Sequence, residues 1–386
     1  MSYRLEHIHS PTSLVLKRAA TLQNLLHDAG ASCELQLSSG KILRCGSCQP
    51  SFKITLNADD MLFRNFDELS IADSYIKGDF DIEGDMCAAM DLRSAFAQKP
   101  HYYMFGKLWL WHMFQPLRSS NKAVINHHYN RGNAFYLTFI DRRYRFYSHG
   151  IFASDSDTLE DASEQKLETM YNSLRLQPGM KLLDIGGGWG GVAEYCGRRG
   201  VHVTELTIAE DSYRFIKDLI VQADLPAEVY LEDFLFHQPR EPYDAAVIYG
   251  VIEHIPNYRF FCRHIWDCLK PGGLIYLDAA ASKRKYDVAM FVRRYLWTGR
   301  HTYLCLQELI KELIFHGIEL LEVKNESHDY EITMRHWAER FDRARNDIVS
   351  GWGEEVYRTF RLYLWGGSRA FHNDLLQAYH IVARRQ

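Results

Sequence analysis

The stretch from Lys181 to Gly191, KLLDIGGGWGG, constrains this chain more than any other. Leu182, Leu183 and Ile185 read as an apolar strand that empties into a glycine-rich turn, after which a helix must begin at once. Gly186, Gly188 and Gly190 lack the β-carbons that would hold a ligand away from the main chain, so the turn can lie directly against one.

Glycine turns of this kind serve dinucleotide, flavin and S-adenosylmethionine sites alike, and some merely let a helix pack on a sheet. The neighbours narrow the choice. A second strand over 201–208 (VHVTELTI) follows one helix later, and a third element ends at Glu232-Asp233-Phe234. A fourth strand from Ala245 to Tyr249 leads into Gly250-Val251-Ile252-Glu253-His254, and the turn Leu269-Lys270-Pro271-Gly272-Gly273 precedes a fifth strand. This series of βα units resembles the Rossmann-like, class I S-adenosylmethionine-dependent methyltransferases rather than nicotinamide dehydrogenases. An acidic residue just past a strand end can accept from ribose hydroxyls. One beside an aromatic residue, as Asp233 is beside Phe234, can accept from an adenine amino group while the ring stacks. Asp184, at the strand edge of the turn, is expected to orient the loop or the methionine amino group.

At 386 residues the chain is long for one α/β domain, and roughly 100–200 residues per domain suggests two. Lys and Arg total 45 against 49 Asp and Glu, so a nucleic-acid binder relying on bulk charge is not expected. Eight cysteines are scattered through strand-like and helical contexts and no signal-peptide pattern opens the chain, which reads as reduced thiols in a cytoplasmic protein. Cys45-Gly46-Ser47-Cys48 has zinc-knuckle spacing but no second pair or histidine partner, so a hairpin turn is expected there and no metal site. No apolar run reaches the ~18 residues of a membrane span. Residues 101–114 instead crowd aromatic rings near Lys99, Lys107, Arg118 and Lys122. That segment suits a bilayer surface or an inter-domain helix filling an internal groove.

Residues 1–95 carry short strands (Ala31 to Leu37, Ile42 to Arg44, Phe52 to Leu56) and helical patterns over Ser13 to His27 and near Asp67 to Tyr75, a small α+β domain. Residues 96–122 form an aromatic linker. Residues 123–386 read as the catalytic domain: a helical lid (123–176), the nucleotide-binding sheet (177–282), and a long insertion with a helical C-terminus (283–386). Disorder is expected at the termini and near Arg118 to Asn121.

With these motifs in place, the chain resembles the cyclopropane-fatty-acyl-phospholipid synthases and their mycolic-acid and methyl-branching relatives. His128-Tyr129-Asn130-Arg131-Gly132-Asn133-Ala134-Phe135-Tyr136 resembles the family's HYDxGNxFY lid motif, and Arg145-Phe146-Tyr147-Ser148 its TYS segment. Thr158-Leu159-Glu160-Asp161-Ala162 and Gln165-Lys166 match the TLExAQxxK helix. Leu183 to Gly191 resembles LDIGCGWGG, with Gly187 in place of the cysteine, and the stretch from Ala72 to Asp85 resembles the GExYxxGxxxxEGDL signature of full-length bacterial members.

The resemblance implies that a cis alkene in a phospholipid acyl chain attacks the sulfonium methyl of S-adenosyl-L-methionine and that a base then removes a proton for ring closure. It implies cofactor contacts by Tyr129, Tyr147 and Ser148 at the methionine end, Asp184, Gly186 and Gly188 beneath it, Thr207 near the ribose, and Asp233 with Phe234 at adenine. Glu205 stands where the family often has glycine, and Ser212 where glutamine is expected. Family members hold a bicarbonate at the base position. Its glutamate and tyrosine carry over as Glu253 and Tyr330, but His149 replaces a cysteine, Asp278 a histidine and Ala280 a bulkier apolar residue. An anionic Asp278 would repel bicarbonate by several kcal/mol at short range, which makes that ion doubtful here.

Three readings of His149 stay open. It forms a base dyad with Asp278, or the pocket resolves the cation as a methyl-branched or methylene product or passes it to a partner reductase, or His149 is a hydrogen-bonded lid residue. Two further classes compete with the lipid enzyme: a small-molecule methyltransferase, and a binding protein without turnover. Of the C-terminal aromatics Phe291, Tyr295, Trp297, Tyr303, Trp337, Phe341, Tyr363 and Trp365, about two thirds should pack and the rest line an acyl tunnel. Lys283, Arg284, Lys285, Arg293 and Arg294 form a basic cluster suited to headgroups or to plain solvation. The implied partners are membrane phospholipid with unsaturated acyl chains, the inner face of the cell membrane, and a second copy in a homodimer.

Overall fold

Alternation of buried and half-buried residues builds the first sheet, as in Phe52, Ile54 and Leu56, whose side chains share one covered face. The computed structural model describes residues 12–96, 131–297 and 301–386. The described residues divide into two units, one of 12–96 with 345–369 and one of 131–297 and 301–344 with 370–386.

In the first unit, strands β1 (Cys33–Gln36), β2 (Ile42–Cys45), β3 (Phe52–Leu56) and β4 (Phe80–Gly84) lie in the order β2-β1-β3-β4. The expected strands and both expected helices are present, and β4 is an addition within the stretch read only as a family signature. Helix Ser13–Asp28 starts where the Thr12 hydroxyl accepts from Val15 N at 3.3 Å, and it buries Val15, Ala19, Leu22 and Leu26 at helical spacing in the same core as β1 and β3. The CGSC stretch is not a hairpin turn. Strand β2 pairs antiparallel with β1, so the hairpin spans residues 37–41, and Gly46 instead begins the passage to β3, which runs parallel to β1.

Residues 345–369 join this unit although the linear division assigned them to the catalytic domain, and Arg358 shows why. Its guanidinium, 8% exposed as a residue, donates to Tyr75 O at 3.1 Å, Phe80 O at 3.0 Å, the Asp81 carboxylate at 2.5 Å and Glu354 at 3.0 Å. One cation thus satisfies the end of helix Glu68–Ile76 and the start of β4.

The second unit holds β5 (Lys181–Ile185), β6 (His202–Thr207), β7 (Ala227–Leu231), β8 (Tyr243–Tyr249), β9 (Leu269–Ala281), β10 (Ile318–Asn325) and β11 (Gln377–Arg385) in the order β10-β11-β9-β8-β5-β6-β7. Strands β5 to β9 pair parallel, while β11 pairs antiparallel with both β9 and β10. Period-two patterning splits the core: Leu183, Ile185 and Ile248 face helix Tyr258–Cys268, whereas Leu182, Val203 and Val247 face helices Leu159–Ser173 and Gly191–Gly197. The Leu-Lys-Pro-Gly-Gly turn is absorbed into β9 as an irregularity, since pairing jumps from Tyr243 with Leu269 to Ala245 with Leu274. The expected helical C-terminus is corrected by β10 and β11, which extend the sheet. Successive strands run outward from β5 to β7 and then restart at β8 on the other side, so the crevice opens at the carboxyl ends of β5 and β8.

Candidate active site

The glycine turn fills that crevice from below. Gly186 has φ +93°, and a β-carbon there would lie 2.3 Å from Val251 Cγ2, so only glycine brings the backbone against the loop after β8. The adjoining cleft is lined by Tyr147, Ser148, Asp184, Gly186, Gly188, Thr207, Ser212, Asp233, Phe234, Gly250 and His254, among others. Eight of the nine expected cofactor residues therefore share one cavity. The ninth, Tyr129, lies outside the described residues. The donor set fits a nucleoside joined to an amino acid: bare backbone at the turn, carboxylates at both ends, and a hydroxyl at Thr207 between them. Asp233 Oδ1 accepts from Leu235 N at 2.9 Å, and Phe234 packs on Phe261 and His264 while also bordering the cleft.

Asp141, which the sequence reading missed, shapes the lid side. Its Oδ1 accepts from Arg143, Tyr144 and Arg145 N at 3.1, 2.6 and 3.0 Å, and its Oδ2 accepts from Phe146 N at 2.6 Å. Burial raises its carboxyl pKa, against the pull of those amides. Arg145, held at φ +62°, then donates to Trp189 O at 3.2 Å and Glu194 at 2.6 Å, tying the loop to the glycine turn. Tyr147 stacks on Trp337 at 5.2 Å, next to Tyr136, Phe139 and Phe341. Trp337 and Phe341 are buried in this packing, as two thirds of the C-terminal aromatics were expected to be. Within the basic cluster, Lys285 pairs with Glu308 at 2.9 Å and Arg293 donates to Val288 O at 3.3 Å, whereas Lys283 and Arg284 are exposed.

Beyond the cleft the same strand ends carry a buried polar cluster. Glu253 Oε1 accepts from Ala280 N at 3.0 Å, its Oε2 has no hydrogen-bond donor, and burial pushes its carboxyl up to about 8. Asp278 Oδ1 accepts from Gly250 N at 3.0 Å, and its Oδ2 pairs with Lys166 Nζ at 2.5 Å. Lys166, wholly buried, also donates to Ser148 Oγ at 2.6 Å and His149 O at 2.8 Å, and lies 4.1 Å over the Tyr249 ring. His149 Nδ1 is 3.8 Å from Asp278 Oδ2, beyond hydrogen-bond range. Its hydrogen-bond partner is Glu326, at 2.8 Å from Nε2, and Glu326 is in turn 2.6 Å from His380 Nδ1. Burial would raise the Glu326 carboxyl, but the two histidines outweigh it and hold it far below the usual range. Tyr330 stacks between His149 at 4.8 Å and Phe371 at 4.3 Å.

The cluster corrects the sequence reading in two respects. The carboxylate that orients His149 is Glu326 and not Asp278, because Lys166 claims Asp278. Repulsion by a lone Asp278 is also not the obstacle to bicarbonate, since that charge is paired. Bicarbonate nevertheless does not fit: the Ala280 amide, His149 Nε2 and Lys166 Nζ already hold protein carboxylates, and few donors remain to grip an anion. Glu326 and His380 carried no motif. Lys166 did, as the last residue of the TLExAQxxK match, and could have been placed by noting that a helix facing the sheet must bury it.

The described mycolic acid cyclopropane synthetase family matches residues 117–381. Among individual relatives, a probable fatty acid methyltransferase, Rv3720 of Mycobacterium tuberculosis, is 27% identical over 69% of this chain, which spans 64% of that protein's length. The cyclopropane-fatty-acyl-phospholipid synthase of Escherichia coli K12 is 28% identical over 82% of this chain and 83% of its own. The crystal structure of mycolic acid cyclopropane synthase CmaA1 complexed with SAH and CTAB superposes with a TM-score of 0.64 at 22% identity, covering 68% of this chain and 98% of the other, which establishes the shared fold. Motifs, sheet order and family match agree: the chain belongs to the mycolic acid cyclopropane synthetase family of S-adenosylmethionine-dependent methyltransferases.

Proposed function

We propose that this protein transfers a methyl-derived carbon from S-adenosyl-L-methionine to the double bond of an unsaturated acyl chain in membrane phospholipid, working at the membrane surface. The observation that carries this reading is the buried cluster of Glu253, Asp278, Lys166, His149 and Glu326 beside the cofactor cleft. An alkene is a weak nucleophile and yields a carbocation, so the protein must exclude water, align the chain and then accept a proton. The bound cofactor supplies the electrophilic methyl group. Tyr147, Asp184, Gly186 and Gly188 hold its methionine end, Thr207 its ribose, and Asp233 with Phe234 its adenine. Glu326, kept ionised, accepts the hydrogen bond of the His149 Nε2–H and so holds the proton there, which leaves Nδ1 with a lone pair as the base. Lys166 neutralises Asp278 and keeps the site from over-stabilising the cation. Glu253 and Tyr330 flank the acyl chain.

Without a fitted bicarbonate, resolution of the cation as a methyl-branched or methylene chain is the second reading. Exposed Lys283 and Arg284 suit anionic headgroups. No helix among the described residues is long and apolar enough to cross a membrane. Vesicles of unsaturated phosphatidylglycerol incubated with methyl-labelled cofactor test the proposal: label enters the acyl chain, and mass spectrometry separates ring, branch and methylene. Label confined to small amines, or absent from lipid, defeats it.

A further inference from the structure

Glu205 lies beneath the glycine turn, is wholly buried and does not border the cleft. It sits opposite Asp184 in the β5–β6 register, so the two side chains leave the sheet on the same face. Its Oε1 accepts from Ala193 N at 2.8 Å, at the start of helix Gly191–Gly197, and its Oε2 occupies the space over Gly187, where a β-carbon would stand 1.8 Å away. Gly187 and Glu205 therefore go together: any side chain at 187 evicts the carboxyl. Asp184, by contrast, borders the cleft.

We propose that Asp184 and Glu205 form a carboxyl pair that shares one proton in the empty enzyme and releases it when the ammonium at the methionine end of the methyl donor binds over Asp184. Two buried carboxyl groups side by side, with Glu205 Oε2 lacking any hydrogen-bond partner among the described residues, are held together only while one of them is protonated. Burial pushes Asp184 up to about 7 despite its Glu205 and Lys166 neighbours, and burial together with Asp184 raises Glu205 well above the usual range. The other groups acting on the pair are few. Arg145, itself bound to Glu194, lowers Glu205, while the Cys196 thiol and the Tyr249 hydroxyl are both raised by burial and stay neutral. A cation arriving over Asp184 favours the doubly ionised pair, and linkage requires the displaced proton to leave for solvent. The inference rests on the donor assignment and not on the identity of the lipid.

Isothermal titration calorimetry on the full chain, in phosphate and in Tris near neutral pH, reads the proton directly. S-adenosylmethionine and S-adenosylhomocysteine, which share that ammonium, should both bind with buffer-dependent heat and gain about tenfold in affinity from pH 6 to pH 8. Glu205→Gln keeps the shape and should abolish both effects. Should that variant fail to fold, Glu205→Gly combined with Gly187→Cys empties and refills the same space and should give pH-independent binding. Donor binding without buffer-dependent heat, or with the same dependence in either variant, overturns the pair alone. No donor binding at any pH overturns the cofactor assignment along with it.

Discussion

The cofactor cleft and the buried polar cluster stand side by side on the same strand ends, yet they are built by opposite means. The cleft relies on backbone, with glycine conformations and the local fold of Asp141 placing amides and carbonyls around an open cavity. The cluster relies on side chains, and almost every polar atom in it is held by another at hydrogen-bond or ion-pair distance. A backbone site tolerates exchange of the side chains around it, as at Ser212. A side-chain site responds as a unit, so the cluster's response to change at His149 or Asp278 is set by Glu326 and Lys166, which bind them.

The sharpest test of that contrast is Lys166→Met. It strands the Asp278 carboxylate in the interior, and removing one partner of a buried pair costs roughly 3–5 kcal/mol. Urea denaturation should show that loss, and pairing the change with Asp278→Asn should recover much of it. A fully stable single variant would mean the cluster is not a unit.

Gly186→Ala addresses the cleft. The positive φ and the Val251 methyl impose strain of roughly 1–3 kcal/mol, expected as a loss in donor affinity of about tenfold or more by calorimetry. Val251→Ala in the same chain should relieve the clash but not the strained φ.

Glu253→Gln gives a smaller effect, visible as a slope. Burial pushes Glu253 to about 8 and Asp184 to about 7, both above the usual carboxyl range. The folded protein then holds protons that the unfolded chain has already released, so stability falls as pH climbs from about 5 towards 8. The denaturation midpoint measured across that window should decline less steeply in the variant. Ser212→Ala, at the cleft wall, should change donor affinity by less than about threefold.

Much of the nucleotide-binding sheet was legible because its signals are local. An apolar run followed by glycines, as at Leu182 to Gly190, names both a strand and a turn. Strands β10 and β11 were not legible: Ile318 to Asn325 carries charges at Glu319, Glu322 and Lys324 and is mostly exposed, and β11 pairs with β9 from about a hundred residues away. The residues that line the cleft were legible from motif position. The hydrogen-bond partner of His149 was not, because Glu326, with His380 behind it, takes its place only after β10 and β11 have joined the sheet. Glu205 was flagged as an exchange for glycine, but its place over Gly187 could not be read from either position alone.

The interleaving of residues 345–369 with the first unit bears on how the protein is made. A ribosome releases β1 to β4 early, yet the guanidinium of Arg358 that fastens the Tyr75 and Phe80 carbonyls emerges nearly three hundred residues later, and β11 later still. Neither unit can reach its final form until residues 345–385 have left the ribosome, so the nascent chain must wait with the first unit unfastened and the second sheet incomplete, and a chain cut before Arg358 would leave two unfinished halves rather than one finished domain.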